Sequence, residues 1–465
     1  MCGKCRVRVN GEASEPDEVE KAFLNEEISS GIRLACRARV QGDLEISLEA
    51  MEKAASIQSE GMMPSFEANP FFEKYGLAVD IGTTTVVARL YDRAGLIGEA
   101  SIMNPQRQYG ADVITRIERS LAGDAAKLAG AIREGITELI EKLSAQADEA
   151  PGSIDAAVIT GNTTMLYLLM ERDISCLARA PFAADELFGR TFSADELGLD
   201  IISGCSIYLP RCMGAFVGAD ITTALLASGI HEKDGTAMMA DIGTNGEICL
   251  WSGGRLLCTS TAAGPVFEGA TLSQGMQGSE GAIEHVSLAD DGFSVRVIGD
   301  VEATGICGSG IVDALACFLE AELVEESGVM ADDEDELPLT EKVSVTQKDI
   351  RMVQLAKGAV CAGMMTLVET AGLSVDDIEL LDIAGGFGSH LDVHNAAVIG
   401  LYPMELEDRV RILGNAALSG AAMLLLRRDF IDASERLAEG AAVIELSSNP
   451  VFTEHYMDCM QFEQF

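Results

Sequence analysis

The chain has 465 residues, 48% of them hydrophobic, and carries 74 acidic against 33 basic side chains for a formal charge of −41. That length implies two or three cores rather than one. The charge argues against nucleic acid or an anionic membrane as partner, because both reward clustered Lys and Arg. With no uncharged apolar run of membrane-spanning length and no secretory h-region, a soluble cytoplasmic protein is expected.

At the start stand Cys2-x-x-Cys5 and, further on, Cys36 in the stretch IRLACRARV. This spacing matches the later part of the plant-type ferredoxin pattern, in which thiolates hold a [2Fe–2S] cluster. The first cysteine of that pattern would precede Met1, so the chain is expected to begin inside the cluster loop with its fourth ligand absent. Zinc is the competing reading, but no second CxxC or nearby His completes a zinc site. Val7 and Val9 predict one face of a strand. Ser14, followed by Glu15, Pro16, Asp17 and Glu18, predicts a helix start. A strand pair is expected at Arg37–Val40 and Leu44–Leu48. Cys176, Cys205, Cys249, Cys258, Cys317, Cys361 and Cys459 sit singly among apolar neighbours and read as reduced core residues.

Residues 49–75 lack periodicity and contain Gly61-Met-Met-Pro64 and Asn69-Pro70, which reads as a linker, helical near Ala50–Ser56. The expected division is therefore 1–48, a partial ferredoxin-like domain; 49–75, a linker; and two halves, 76–230 and 231–465.

Each half opens on the same device, VDIGTTT at 79–85 and ADIGTNGE at 240–247, an apolar strand followed by small polar residues and a second strand. Gly82 and Gly243 permit a tight turn close to an anion. Thr83, Thr84, Thr85 and Thr244 offer amides and hydroxyls to phosphate oxygens, and Asp80 and Asp241 can hold magnesium through its waters. Two such hairpins suit a nucleotide gripped from both sides. Behind them the first half predicts helices around Gly110–Ser120 and Ala125–Ala150, a strand at Ala156–Thr160 and a helix at Gly214–Gly229. The second predicts a helix at Gly310–Leu323, a strand at Leu380–Ile383, the loop AGGFG at 384–388 and a helix at Gly414–Leu426. Alternation of this kind implies a mixed α/β sheet in each half.

These stretches, with ITGNTTM, STAAGPVFEGA, GICGSGIVD, IAGGFGSHLD and LGNAALSGA, resemble the ATPase superfamily of sugar kinases, heat-shock ATPases and actin. Within it the chain is most similar to the ATP-dependent reductive activators of corrinoid proteins. The resemblance implies a duplicated actin-like (RNase H-like) α/β fold preceded by a truncated β-grasp ferredoxin domain. It also implies ATP, Mg²⁺ and a [2Fe–2S] cluster as cofactors, and conversion of a partner's corrinoid from Co(II) to Co(I) with an electron from a low-potential donor. A homodimer is the assembly it suggests. Two features depart from the pattern: the first cluster cysteine is missing, and the linker leads directly into the ATPase halves.

The same resemblance assigns roles. Asp80 and Asp241 stand beside magnesium, with Cys2, Cys5 and Cys36 as cluster ligands. Gly82, Thr83, Thr84, Thr85, Gly243, Thr244 and Asn245 surround the phosphates, and Gly385 with Gly386 forms the floor under adenine and ribose. Glu247 either orients the attacking water or faces solvent as an ordinary strand residue. Asp220, on the helix at Gly214–Gly229, either reaches the metal or is an ordinary residue of that helix. The run Thr259–Glu268 either faces the partner's corrinoid or simply turns the chain, and His390 and His394 read as surface residues. Two other classes compete: an activator of another low-potential enzyme, such as a 2-hydroxyacyl-CoA dehydratase, using Cys307, and a non-redox actin-like or kinase-like ATPase.

Overall fold

The computed structural model describes residues 6–17, 20–21, 24, 28, 31–35, 37–47, 63–289, 292–331 and 335–462. At its start β1 (Arg6–Ala13), β2 (Ile32–Leu34) and β3 (Val40–Ser47) form an antiparallel sheet in the order β2-β1-β3. Leu24, Ile32 and Leu34 supply its small core. A buried pair stiffens it: Arg33 donates to both oxygens of Glu20 at 3.1 and 2.8 Å, and the Leu34 amide donates to the same carboxylate. These bonds, Arg33 foremost, hold the Glu20 carboxyl below its ordinary range.

Two expectations for this region are corrected. One continuous strand replaces the pair at Arg37–Val40 and Leu44–Leu48, because β3 stays paired with β1 on both sides of a register shift, where a step of two residues on β1 (Gly11 to Ala13) spans four on β3 (Leu44 to Val40). Capping falls to Asp17, not Ser14: the Glu20 amide donates to Asp17, while the Ser14 hydroxyl accepts from the Arg39 amide. Cys2, Cys5 and Cys36, and the helical stretch near Ala50–Ser56, lie outside the described residues.

The expected linker is shorter than 49–75. The Asn69 and Phe71 amides donate to the carbonyls of Leu426 and Leu425, and Phe72 is fully buried. Gly76 must be bare here, since a Cβ would lie 2.2 Å from the Phe72 ring. Residues 69–72 thus belong to the body that follows.

That body contains two six-stranded sheets. The first is built from β4 (Tyr75–Ile81), β5 (Thr85–Tyr91), β6 (Leu96–Met103), β7 (Ile154–Gly161), β8 (Arg190–Ser193) and β9 (Ser206–Leu209), in the order β6-β5-β4-β7-β9-β8. The second half continues with β10 (Thr236–Ile242), β11 (Gly246–Ser252) and β12 (Arg255–Thr261). Next come β13 (Ala282–Ala289), β14 (Gly292–Val297) and β15 (Gly305–Ile306), which form a small separate sheet, and β16 (Glu336–Pro338) with β17 (Ser344–Thr346), which form a hairpin. The main sheet is completed by β18 (Ile378–Ala384), β19 (Val410–Gly414) and β20 (Ala441–Val443), in the order β19-β18-β10-β11-β12-β20.

Removing β8 and β20 leaves the same five-strand plan twice: an antiparallel three-strand meander whose first strand pairs in parallel with a fourth, and the fourth with a fifth. Central strands are covered on both faces, so β4 and β10 read as nearly unbroken apolar runs.

Helices cover these sheets. In α1 (Ala125–Gln146), Leu128, Ile132, Ile136, Leu139 and Leu143 recur at helical spacing and are buried against the first sheet. Each such side chain contributes about 1.5–3 kcal/mol. Between the halves, α2 (Ala219–Ser228) crosses α3 (Ala416–Leu426) inside a shared apolar cluster. The helix expected from Gly214 begins only at Ala219. Gly214–Gly218 turns instead, with the Met213 and Gly214 amides donating to the Val217 carbonyl. The helix expected at Gly310–Leu323 runs Gly308–Glu320.

Of the seven cysteines expected in the core, six are buried and Cys176 is half-buried, all with free thiols. No helix of the described residues is long and apolar enough to cross a membrane.

Candidate functional site

The ends of β4 and β10 face each other across a cleft of about 520 Å³ between the halves. The chain reverses after Ile81 through Gly82–Thr85, and after Ile242 through Gly243–Asn245. Gly82 is required to be bare, because a Cβ would stand 2.8 Å from the Thr85 carbonyl. Gly243 is not, since the nearest atom would be 3.9 Å away. The second turn is held instead by the Gly243 amide donating to the Asn245 carbonyl and the Gly264 amide donating to the Thr244 carbonyl.

Behind the first turn the carbonyls of Gly82, Thr83 and Thr84 are all occupied. Asn104 Nδ2 donates to Gly82 O, the Asn104 amide to Thr84 O, and Arg116 Nη2 to Thr83 O at 2.6 Å. The polar groups this turn offers to the cleft are therefore amides and hydroxyls, which suit an anion. Arg116 is fully buried and also donates to the Gly110 carbonyl. Burial pulls its guanidinium down to about 10. Asn162 Nδ2 steadies the Thr83 hydroxyl at 3.3 Å.

Glu268 closes the front. Its two carboxylate oxygens accept the Thr84 hydroxyl at 2.7 Å and the Thr244 hydroxyl at 2.6 Å, tying a residue of each half to one side chain. The neighbouring Phe267 stacks on Phe387 with ring centroids 4.7 Å apart. Phe387 follows Gly385 and Gly386, which line the same cleft. Gly385 has a left-handed φ of 95°, and a Cβ there would meet the Ile242 carbonyl at 2.7 Å.

At the floor converge Asp80, Asp220, Asp241 and Glu247. Loss of water pushes Asp80 up to about 6, against a restraining bond from Asn415 Nδ2 at 3.1 Å. Desolvation and the negative charge of Asp80 push Asp241 to about 7. Asp220 rises to about 8 through desolvation and the charges of Asp241 and Asp80. Glu247 is also raised well above its usual range, by desolvation and then by Asp220 and Asp241. It faces the cleft rather than solvent, and the Ser260 hydroxyl donates to it at 3.2 Å. These carboxylates do not stand at direct coordination spacing, so a divalent cation such as Mg²⁺ would be held among them through its own waters, its charge offsetting their mutual repulsion.

The cleft thus unites Asp80, Gly82, Thr83, Thr84, Thr85, Asp220, Asp241, Gly243, Thr244, Asn245, Glu247, Gly385 and Gly386. Of the run Thr259–Glu268, Phe267 and Glu268 line it. His390 stands exposed at its edge, while His394 bonds Glu407 away from it. Cys307 is buried with its thiol directed to the Ile283 carbonyl at 3.3 Å, a poor position for bridging a cluster between subunits. No group of metal-ligating side chains with coordination spacing occurs among the described residues. Glu268 entered the sequence reading only as the end of the run Thr259–Glu268, not as a contact to the threonine turns, and Asn104, Arg116, Asn162 and Asn415 escaped it as site residues. Only the Gly-Asn pairs at 161–162 and 414–415, each opening a helix, gave a local signal for two of them.

Comparison with known proteins matches residues 75–233 to the family described as the RACo middle region, and residues 235–464 to the family described as the C-terminal domain of RACo, the ASKHA domain. The chain is 35% identical over 442 residues to a corrinoid activation enzyme of Eubacterium limosum, RamQ, covering 88% of this chain and 74% of that protein. It is 26% identical over 421 residues to a [Co(II) methylated amine-specific corrinoid protein] reductase of Methanosarcina barkeri, covering 82% and 76%. Among solved structures, a reductive activator for corrinoid,iron-sulfur protein superposes with a TM-score of 0.78 at 27% identity, covering 99% of this chain and 92% of that one.

Proposed function

Because the chain belongs to the RACo family of corrinoid activators, we propose that it is an enzyme coupling ATP, held between its two halves, to reduction of a partner protein's corrinoid from Co(II) to Co(I). The observation that carries this reading is the pair of Asp-Ile-Gly-Thr hairpins meeting across one acidic cleft. The need for ATP is thermodynamic. Ordinary ferredoxin-type donors sit near about −400 mV, and each further 100 mV uphill costs an electron about 2.3 kcal/mol. Nucleotide binding that favours one arrangement of the halves over another supplies such energy as a population shift.

In this scheme Thr83, Thr84, Thr85, Thr244 and Asn245 bind phosphate oxygens, and Gly385 and Gly386 underlie the base and ribose. Asp80 and Asp241, with Asp220 beside them, would hold Mg²⁺ through its waters, the ion when bound neutralising phosphate charge, and Glu247 orients water. The cysteines Cys2, Cys5 and Cys36, completed by a fourth thiolate, are the proposed [2Fe–2S] ligands of a ferredoxin-like domain carrying the electron. The corrinoid belongs to the partner.

The test is anaerobic. The reconstituted protein, supplied with a fourth cysteine, ATP and a low-potential donor, should convert a cognate corrinoid protein to Co(I), followed by visible absorption. A stable iron–sulfur centre with no ATP-dependent Co(I) would refute the activity. No centre at all would refute the cluster assignment alone.

A further inference from the structure

Glu268 joins the two halves directly across the cleft, through Thr84 Oγ1 and Thr244 Oγ1. Both threonines belong to the turns assigned to phosphate, and a carboxylate bridging two hydroxyl donors imitates two phosphate oxygens. We infer that Glu268 is an internal competitor for the terminal phosphates of ATP and a positioning residue that reports their arrival to the segment carrying it. The inference rests on the nucleotide reading proposed above.

The segment is built to respond. Glu268 ends the short turn Pro265–Glu268, flanked by Gly264 and Gly269, both with left-handed φ, 79° and 70°. The Gly264 amide is bonded to the Thr244 carbonyl, so the turn is coupled to the second hairpin through backbone as well as side chain. On its other side Phe267 stacks on Phe387, next to Gly385 and Gly386. Beneath it Gly308 is packed so closely that a Cβ would lie 1.8 Å from the Phe267 carbonyl. The turn therefore touches the proposed phosphate, adenine and helix Gly308–Glu320 surfaces at once.

A phosphate entering between the hairpins must take both hydroxyls from Glu268, and like charges in a low-dielectric cleft do not share donors. Displacing the carboxylate moves Phe267 and the turn, and so carries nucleotide occupancy beyond the phosphates.

The experiment measures binding of ATP and of AMP, each with Mg²⁺, to the full chain and to Glu268→Gln and Glu268→Ala. Losing two bonds to a charged acceptor should tighten ATP by about tenfold or more in Glu268→Ala, and by less in the isosteric Glu268→Gln. AMP, which lacks the terminal phosphates, should bind all three alike. Hydrogen exchange over 262–270 should rise on adding ATP to the wild type and already be high in Glu268→Ala without it. If the wild type binds ATP but the variants bind it equally or more weakly, or exchange in this stretch ignores ATP, the competitor role is wrong. If the wild type binds no ATP, the nucleotide reading itself fails.

Discussion

A Cβ placed on Gly420 would lie 1.8 Å from the backbone oxygen of Thr223, so the crossing of α3 over α2 has no room for any side chain. Thr223 is held in turn, its hydroxyl 3.1 Å from that of Thr160 on β7. The halves therefore meet at a backbone contact anchored to the first sheet. Gly420→Ala should destabilise the protein by about 1–3 kcal/mol or more, the cost of overpacking, read as a lower urea midpoint. Gly440→Ala, at a helical position with nothing within 4 Å, should be neutral or mildly stabilising.

Asp241→Asn should cut ATP hydrolysis by about two orders of magnitude, since a metal's charge stabilisation is worth several kcal/mol and each 1.36 kcal/mol is tenfold. The fold should survive, because the substitution removes one member of a mutually repelling set. Mg²⁺ should raise the melting temperature of the wild type more than that of the variant. A variant hydrolysing ATP at the wild-type rate would overturn the two-hairpin site.

Lys357 is buried beneath the C-terminal helix, donates to the Gln461 carbonyl and lies 5.0 Å from the centre of the Phe462 ring. Burial lowers its ammonium from 10.5 to about 8. Between those values the unfolded chain binds more protons than the folded one, so stability rises with pH. The penalty is fully present below about pH 8 and is relieved toward 10.5. Relative to Lys357→Met, the protein should gain on the order of 1–2 kcal/mol between pH 8 and 10 in urea titrations. Both proteins should carry Cys361→Ala, because that thiol is lowered by Cys459 and by Lys357 itself. A flat difference would show that Lys357 is not held below its usual range.

A chain beginning at Met63 should fold and bind ATP without the first sheet, whereas one beginning at Tyr75 should be weaker. The second lacks Phe72, fully buried against Gly76, and the backbone bonds of Asn69 and Phe71. Loss of a buried Phe alone costs about 3–5 kcal/mol. Equal melting temperatures would return residues 63–74 to the linker.

What the sequence determined by itself was local. The Asp-Ile-Gly-Thr turns, the apolar strands around them and the helical spacing of Leu128, Ile132 and Ile136 depend on neighbours a few residues apart, so composition and period reveal them. The duplication exposed the two-half fold for the same reason. Helix starts were less legible: Gly214–Gly218 shares the small-residue composition of α2, but its amides are taken by a turn. Other features arose only from chain folding. Glu268 meets Thr84 across 184 residues, and Asn415 meets Asp80 across 335. Arg116 and Asn104 act by reaching carbonyls on a turn in a different element. No local pattern encodes such bonds, because a side chain's partner is set by which backbone the sheets and crossing helices bring within about 3 Å of it.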